Sequence, residues 1–157
     1  MAVQPRVIFT RFSSADSSEF RPWMEHLARV LGSKNPSQVA VKDPTVWQLV
    51  SANNRELARS VGLFSGFASA RTSAEAVARA LPRATVRSVV DERQGLHGWY
   101  LLLDGEPMVA CSRWYFADRE RTQAVNLALA ALALANFAEG ARLVAERAQK
   151  GQDERVR

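Results

Sequence analysis

The sequence is poor in the residues that most often carry chemistry. It holds one cysteine, Cys111, and two histidines, His26 and His97. A lone cysteine excludes an internal disulfide, so stability has to come from burial, and a reducing compartment suits the chain. Neither histidine has a cysteine or second histidine near it, and a metal site needs at least three ligands in a preferred geometry. No glycine-rich phosphate loop and no G-x-S-x-G serine turn occurs. Long apolar runs are missing as well. The most apolar stretch, Ala124 to Phe137, is interrupted by Asn126 and Asn136 and falls short of the roughly 20 residues of a membrane span. The start, Met1 to Arg6, lacks the apolar core of a signal peptide. These absences lead us to expect a soluble cytoplasmic protein with no cofactor, no metal and no catalytic site.

Lysine is scarce too, and almost every cation is an arginine. With abundant alanine, that bias points to a GC-rich, bacterial genome. The net charge is +5, yet acids interleave with the arginines, as in Asp118-Arg119-Glu120-Arg121. Mixed signs weaken any single-sign field, so solvated surface is favoured over a nucleic-acid footprint. At 157 residues and 47% hydrophobic content, the chain suffices for one globular domain.

What is present is a repeat. Without a gap, Trp47 falls on Trp99, Leu49 on Leu101, Ala58 on Ala110, Ser60 on Ser112 and Phe64 on Phe116. Each segment reads as a hairpin. Asp104-Gly105 is a strong two-residue turn signal, and Asn53-Asn54 stands at the equivalent place. A strand precedes each hairpin, Val7–Phe12 in one copy and Thr85–Val90 in the other, both with β-branched residues prominent. A helix follows each. Thr72-Ser73-Ala74-Glu75 reads as a capping box ahead of the stripe Ala74, Val77, Ala78, Leu81, which Pro82 stops. Asp118 is the expected N-cap of a helix running to at least Phe137, with helix again over Ala141–Gln149.

The expected fold is α+β. It comprises two tandem βββα copies, 6–82 and 84–139, in one antiparallel sheet packed with helices, with a C-terminal helical extension and tail at 140–157. The first copy carries an insertion at 13–45. Within it Ser13–Ser18 reads as a flexible polar connector, leading to a short helix with Pro22 in its first turn, the stripe Trp23, Leu27, Val30, Leu31, and Gly32 as its stop.

These positions resemble the YegP-like family of small bacterial and archaeal proteins. Its pattern is an aromatic opening the second strand, an Asn-Gly or Asp-Gly turn, a third strand ending in serine, a nearby aromatic, and an alanine-rich helix. Trp99, Asp104-Gly105, Ser112, Tyr115 or Phe116, and Ala124–Leu134 match it, and Trp47, Asn53, Ser60, Phe64 and Ser73–Leu81 match it again. The resemblance implies the fold and a dimer; the family has no established biochemical activity.

Individual residues read mostly as structural. His26, on the flank of the insertion stripe, is expected to be a half-buried ring; Cys111 a small structural residue; Asp91-Glu92 a solvated loop pair. The helix over Ala124–Phe137 is apolar nearly all round, which marks burial on several sides or an oligomer interface. A non-catalytic interaction protein is therefore expected, a homodimer meeting through Leu127, Leu129, Leu132, Leu134 and Phe137. Trp23 and Leu27 of the insertion helix are the expected surface for a further protein partner. The alternative is a nucleic-acid-binding module in which Arg113, Arg119 and Arg121 act with Trp114 and Tyr115. Adjacent aromatics on a strand must point to opposite faces, which weighs toward core.

Overall fold

The computed structural model describes residues 4–36 and 41–144. Seven strands form one sheet in the order β4-β5-β6-β3-β2-β1-β7. Their ranges are β1 Arg6–Phe12, β2 Thr45–Val50, β3 Glu56–Ser60, β4 Thr85–Asp91, β5 Leu96–Leu103, β6 Glu106–Cys111 and β7 Asn136–Val144. Three helices cover it: α1 Arg21–Leu31, α2 Phe67–Ala80 and α3 Asp118–Leu134.

Strand alternation divides the side chains between two faces. Phe9 meets Phe67 of α2 edge-on at 5.0 Å, whereas Phe12, three residues on, packs against Phe20 and Trp23 beside and within α1. An odd step reverses the face, so α1 and α2 lie on opposite sides of the sheet. The register carries the division across: Phe9 pairs with Trp47 on the α2 side, and Gln48, Arg59, Ala110 and Tyr100 follow one another on the α1 side. Trp47 and Trp99 are both fully buried and anchor the core.

The two hairpins are closely alike but not in ungapped register. The backbone N–H of Trp47 donates to Ser60 Oγ, 13 residues ahead, and that of Trp99 donates to Cys111 Sγ, 12 ahead. Cys111, not Ser112, thus stands where Ser60 does. Likewise the bridge Thr45–Phe64 is matched by His97–Tyr115, and Phe116 is left 84% exposed. The cause is the turn. Asp104-Gly105 closes a two-residue loop with both residues at positive φ (52° and 81°), whereas in the first hairpin the Ser51 N–H donates to the Arg55 carbonyl at 2.8 Å, so its loop is one residue longer, 52–54, with only Asn54 at positive φ. Both hairpins carry a bulge next to the turn, at Leu57 and at Met108. The second bulge accommodates Pro107, which has no N–H for the ladder.

Several expectations are corrected. The sheet is mixed, because β7 runs parallel to β1. Asn136–Val144 is this strand, so helix does not continue past Leu134, and Phe137 and Ala141 are strand residues. Helix propensity is overridden here by pairing: β1 is an apolar strand whose outer backbone groups need partners. The rest of the expected helical tail, 145–157, lies outside the described residues. Helix α2 begins at Phe67, so Thr72 and Glu75 lie in its interior and form no capping box. Its N-cap is Gly66, extended and without a polar side chain. Asp118 is the first residue of α3 and Ala117 its N-cap. Ser13–Ser18 is an ordered turn: buried Ser17 accepts the Phe20 N–H through Oγ at 3.1 Å, just ahead of α1.

Helix α3 lies on the sheet through Val125, Ala128, Ala131 and Leu132, all buried. Leu132 is 2% exposed and Leu134 69%. Leu132→Ala should then cost about 2–5 kcal/mol and Leu134→Ala no more than about 0.5 kcal/mol, read from urea unfolding midpoints. Equal losses would contradict this placement of α3.

Candidate interaction surface

Alanine decides how α3 sits. Ala128 and Ala131 are small enough to bring the helix axis close to the sheet, and this turns Leu127 and Leu134 away from it. Leu127 is 56% exposed, and with Ala130 and Leu134 it forms a stripe one helix face wide. Opposite stands the tip of the β2–β3 hairpin. Leu57, Ala52, Pro5 and the stripe line a predominantly apolar groove of about 410 Å³. Leu57 and Leu127 also line a second, more polar concavity of about 280 Å³ containing Arg55, Arg113, Tyr115 and Glu120.

The remaining residues expected at an interface are placed differently. Leu132, Trp23 and Leu27 are core residues, at 2%, 6% and 0% exposure. The apolar side of α1 is consumed by its own sheet, so Trp23 and Leu27 offer nothing to a partner. Leu129 is half-buried on α3, and Phe137 half-buried on β7.

The residues of the nucleic-acid alternative are dispersed. Trp114 lies on the α1 side, with the Arg29 guanidinium 4.7 Å from its ring centroid and His26 edge-on at 6.4 Å. Tyr115 points instead to the concavity beside α3, so the two adjacent aromatics do diverge. Arg121 is paired with Asp118 within the first turn of α3. Arg113 and Arg119 are exposed.

On the α1 face a polar network crosses the sheet. Thr10 Oγ1 donates to Gln48 Oε1 at 3.2 Å, and Gln48 Nε2 donates to Glu56 at 3.0 Å. Ser112 Oγ donates to Glu56 at 2.8 Å, and Arg59 forms an ion pair with the same carboxylate at 3.0 Å. The Arg59 guanidinium lies over the Trp23 ring, 4.3 Å from its centroid. Glu56 thus has a donor on each oxygen and a cation beside it, an arrangement that holds strands together. Sequence reasoning missed this network, because its members are far apart in the chain and only the strand order brings them together.

The titratable groups nearby are held inactive. His26 is locked by a 2.7 Å hydrogen bond between Nε2 and the Cys111 carbonyl, and burial lowers its pKa below 6.5, keeping the ring neutral. Burial also pushes the Cys111 thiol up to about 11, so it is not a thiolate near neutral pH. Burial likewise raises the pKa of Tyr115. Asp91 is partly exposed but not ordinary: Arg29 donates to it through Nη2 at 2.6 Å and Nε at 3.0 Å, and this holds its carboxyl below the usual range. Among the described residues no group of three His, Cys, Asp or Glu is placed to hold a metal, and no helix is long and apolar enough to cross a membrane.

A base whose folded pKa is depressed takes up its proton more readily when unfolded. The contribution of His26 to stability is therefore complete above pH 6.5 and is lost as pH falls from there through the lower folded value. Wild-type urea midpoints should decline over that window, and His26→Gln should flatten the decline. An identical slope in the variant would contradict the burial of a neutral ring.

No protein-family model matches the chain, and no curated protein matches its sequence. Among solved structures, the solution NMR structure of the protein of unknown function yegP from E. coli is similar in fold, with a TM-score of 0.51 and 11% identity. The likeness covers 92% of this chain and 97% of that one. The chain has the α+β fold of yegP.

Proposed function

We propose that the protein is a non-catalytic interaction protein, built as two tandem βββα copies merged into one sheet, that self-associates through the outer stripe of α3. The observation that carries the reading is the pair Leu127 and Leu134, two leucines on one side of a helix, 56% and 69% exposed beside an apolar groove. Apolar side chains clustered in this way are costly to leave in water, and burial against the same stripe of a second copy removes the cost with two-fold symmetry. The inertness of the neighbouring groups supports the non-catalytic half of the reading. His26 is hydrogen-bonded and neutral, the Cys111 thiol is protonated, and Glu56 is bound by donors.

The double variant Leu127→Glu/Leu134→Glu tests it. By light scattering coupled to size exclusion, the wild type should run at twice the 17.4 kDa of the chain or above. The variant should lose at least half of that mass while its circular dichroism stays unchanged. A folded variant with wild-type mass would overturn the reading. Nucleic acid co-eluting with the wild type would overturn it in favour of Arg113 and Arg119.

A further inference from the structure

The sheet has two edges, β4 and β7, and they are unlike. β7 is interrupted by Gly140 and by a register shift opposite Val7–Phe9, and it carries Glu139 and Arg142. Such features discourage a further strand from adding. β4 has no glycine and no register shift, although it too carries two charges, Arg87 and Asp91. Its pairing to β5 runs through seven consecutive residues, Thr85 to Asp91, without a bulge, glycine or proline. Among the described residues, its outer backbone groups face no other strand of the sheet. Val86 and Val90 are 37% and 50% exposed, large apolar side chains on the same face of an edge strand.

We infer that β4 pairs antiparallel with β4 of a second copy, centred on Ser88. The strand's own sequence supplies the argument. About Ser88, two-fold pairing sets Val86 against Val90 of the second copy, and Val90 against its Val86. It sets Arg87 against Val89 and Thr85 against Asp91, so no like charges stand directly opposite. Both exposed valines gain an apolar cross-strand neighbour, and the free edge acquires a ladder. Moving the centre by one residue loses the match. Centred on Arg87, the pairing puts two guanidinium groups face to face; centred on Val89, it sets Arg87 against Asp91, which Arg29 already holds, and leaves both exposed valines without an apolar neighbour, Val90 against Ser88 and Val86 against a residue beyond the strand. The second copy is thus the occupant that this edge fits. The interface lies at the opposite end of the sheet order from β1 and β7, and it is independent of the α3 stripe. Two different isologous interfaces in one protomer give a closed tetramer when their two-fold axes intersect at right angles.

A cysteine at the two-fold centre reads this register directly. Cys111 is fully buried, so Ser88→Cys adds the one exposed thiol among the described residues. Under mild oxidation at micromolar protein, Ser88→Cys should form a covalent dimer on non-reducing gels, well ahead of Ala76→Cys on the exposed side of α2. Adding Val86→Lys/Val90→Lys sets lysine against lysine and should slow the cross-link by about tenfold, equivalent to about 1.4 kcal/mol of lost association. Adding Leu127→Glu/Leu134→Glu instead should leave it unchanged, which separates this interface from the one on α3. Cross-linking of Ser88→Cys no faster than Ala76→Cys, or insensitive to the two lysines, would overturn the inference.

Discussion

The rest of the structure hangs on a short seam. β3 and β6 meet through three residue pairs, Ala58–Cys111, Arg59–Ala110 and Ser60–Val109. All of these side chains except Arg59 are buried, and most are small. Small residues are required there. Trp47 and Trp99 occupy the same face of the flanking strands, and α2 and α3 come together above it. Bulkier seam residues would hold the helices off and open voids around the two indoles. With the seam closed, β1, β2 and β3 and β4, β5 and β6 become one sheet with one core. The backbone N–H of each tryptophan is satisfied within its own hairpin, by Ser60 and by Cys111.

The other face of the seam shows why polar residues here do not amount to an active site. Arg59 cannot point into the apolar core, so it turns to the α1 side, where Glu56, Gln48 and the ring of Trp23 receive it. The network is part-buried beside α1, and its members satisfy one another across three strands. Each bond is made in only one register of β1, β2 and β3, which gives the network a part in fixing it. His26 and Arg29 then fasten α1 to the second half, through the Cys111 carbonyl and Asp91. Helix α1 is accordingly a brace between the strands β1 to β3 and β4 to β6, and its apolar side is core.

Much of the local structure was legible in the sequence. Asp104-Gly105 specified its turn because positive φ at both positions is a backbone demand that few residues meet. The β-branched runs of β1 and β4 and the apolar content of α3 were equally plain. Failures came where packing outweighs local preference. Gly66 starts α2 without a side-chain cap, so the polar pattern at Thr72–Glu75 drew the boundary inward. Asn136–Val144 has a helix former's composition in part, but the open side of β1 makes it a strand. The difference of one residue between the hairpins hid in the turn, because both carry the same bulge and only the loop length differs. On α3 the leucines were visible, yet which of them are buried depends on Ala128 and Ala131 facing the sheet, and a helix apolar all round gives no phase. The β4 edge had no signal, since strand order is a tertiary property.

Residue-resolved amide hydrogen exchange under increasing denaturant tests the seam most directly. The amides of Trp47 and Trp99 sit in the two halves at matching places, each bonded to a side chain of the following strand. If the seam makes one cooperative unit, both should merge into a single global opening with the same free energy and the same denaturant dependence. Two distinct openings, with one half exchanging through a smaller unfolding while the other stays protected, would contradict the account.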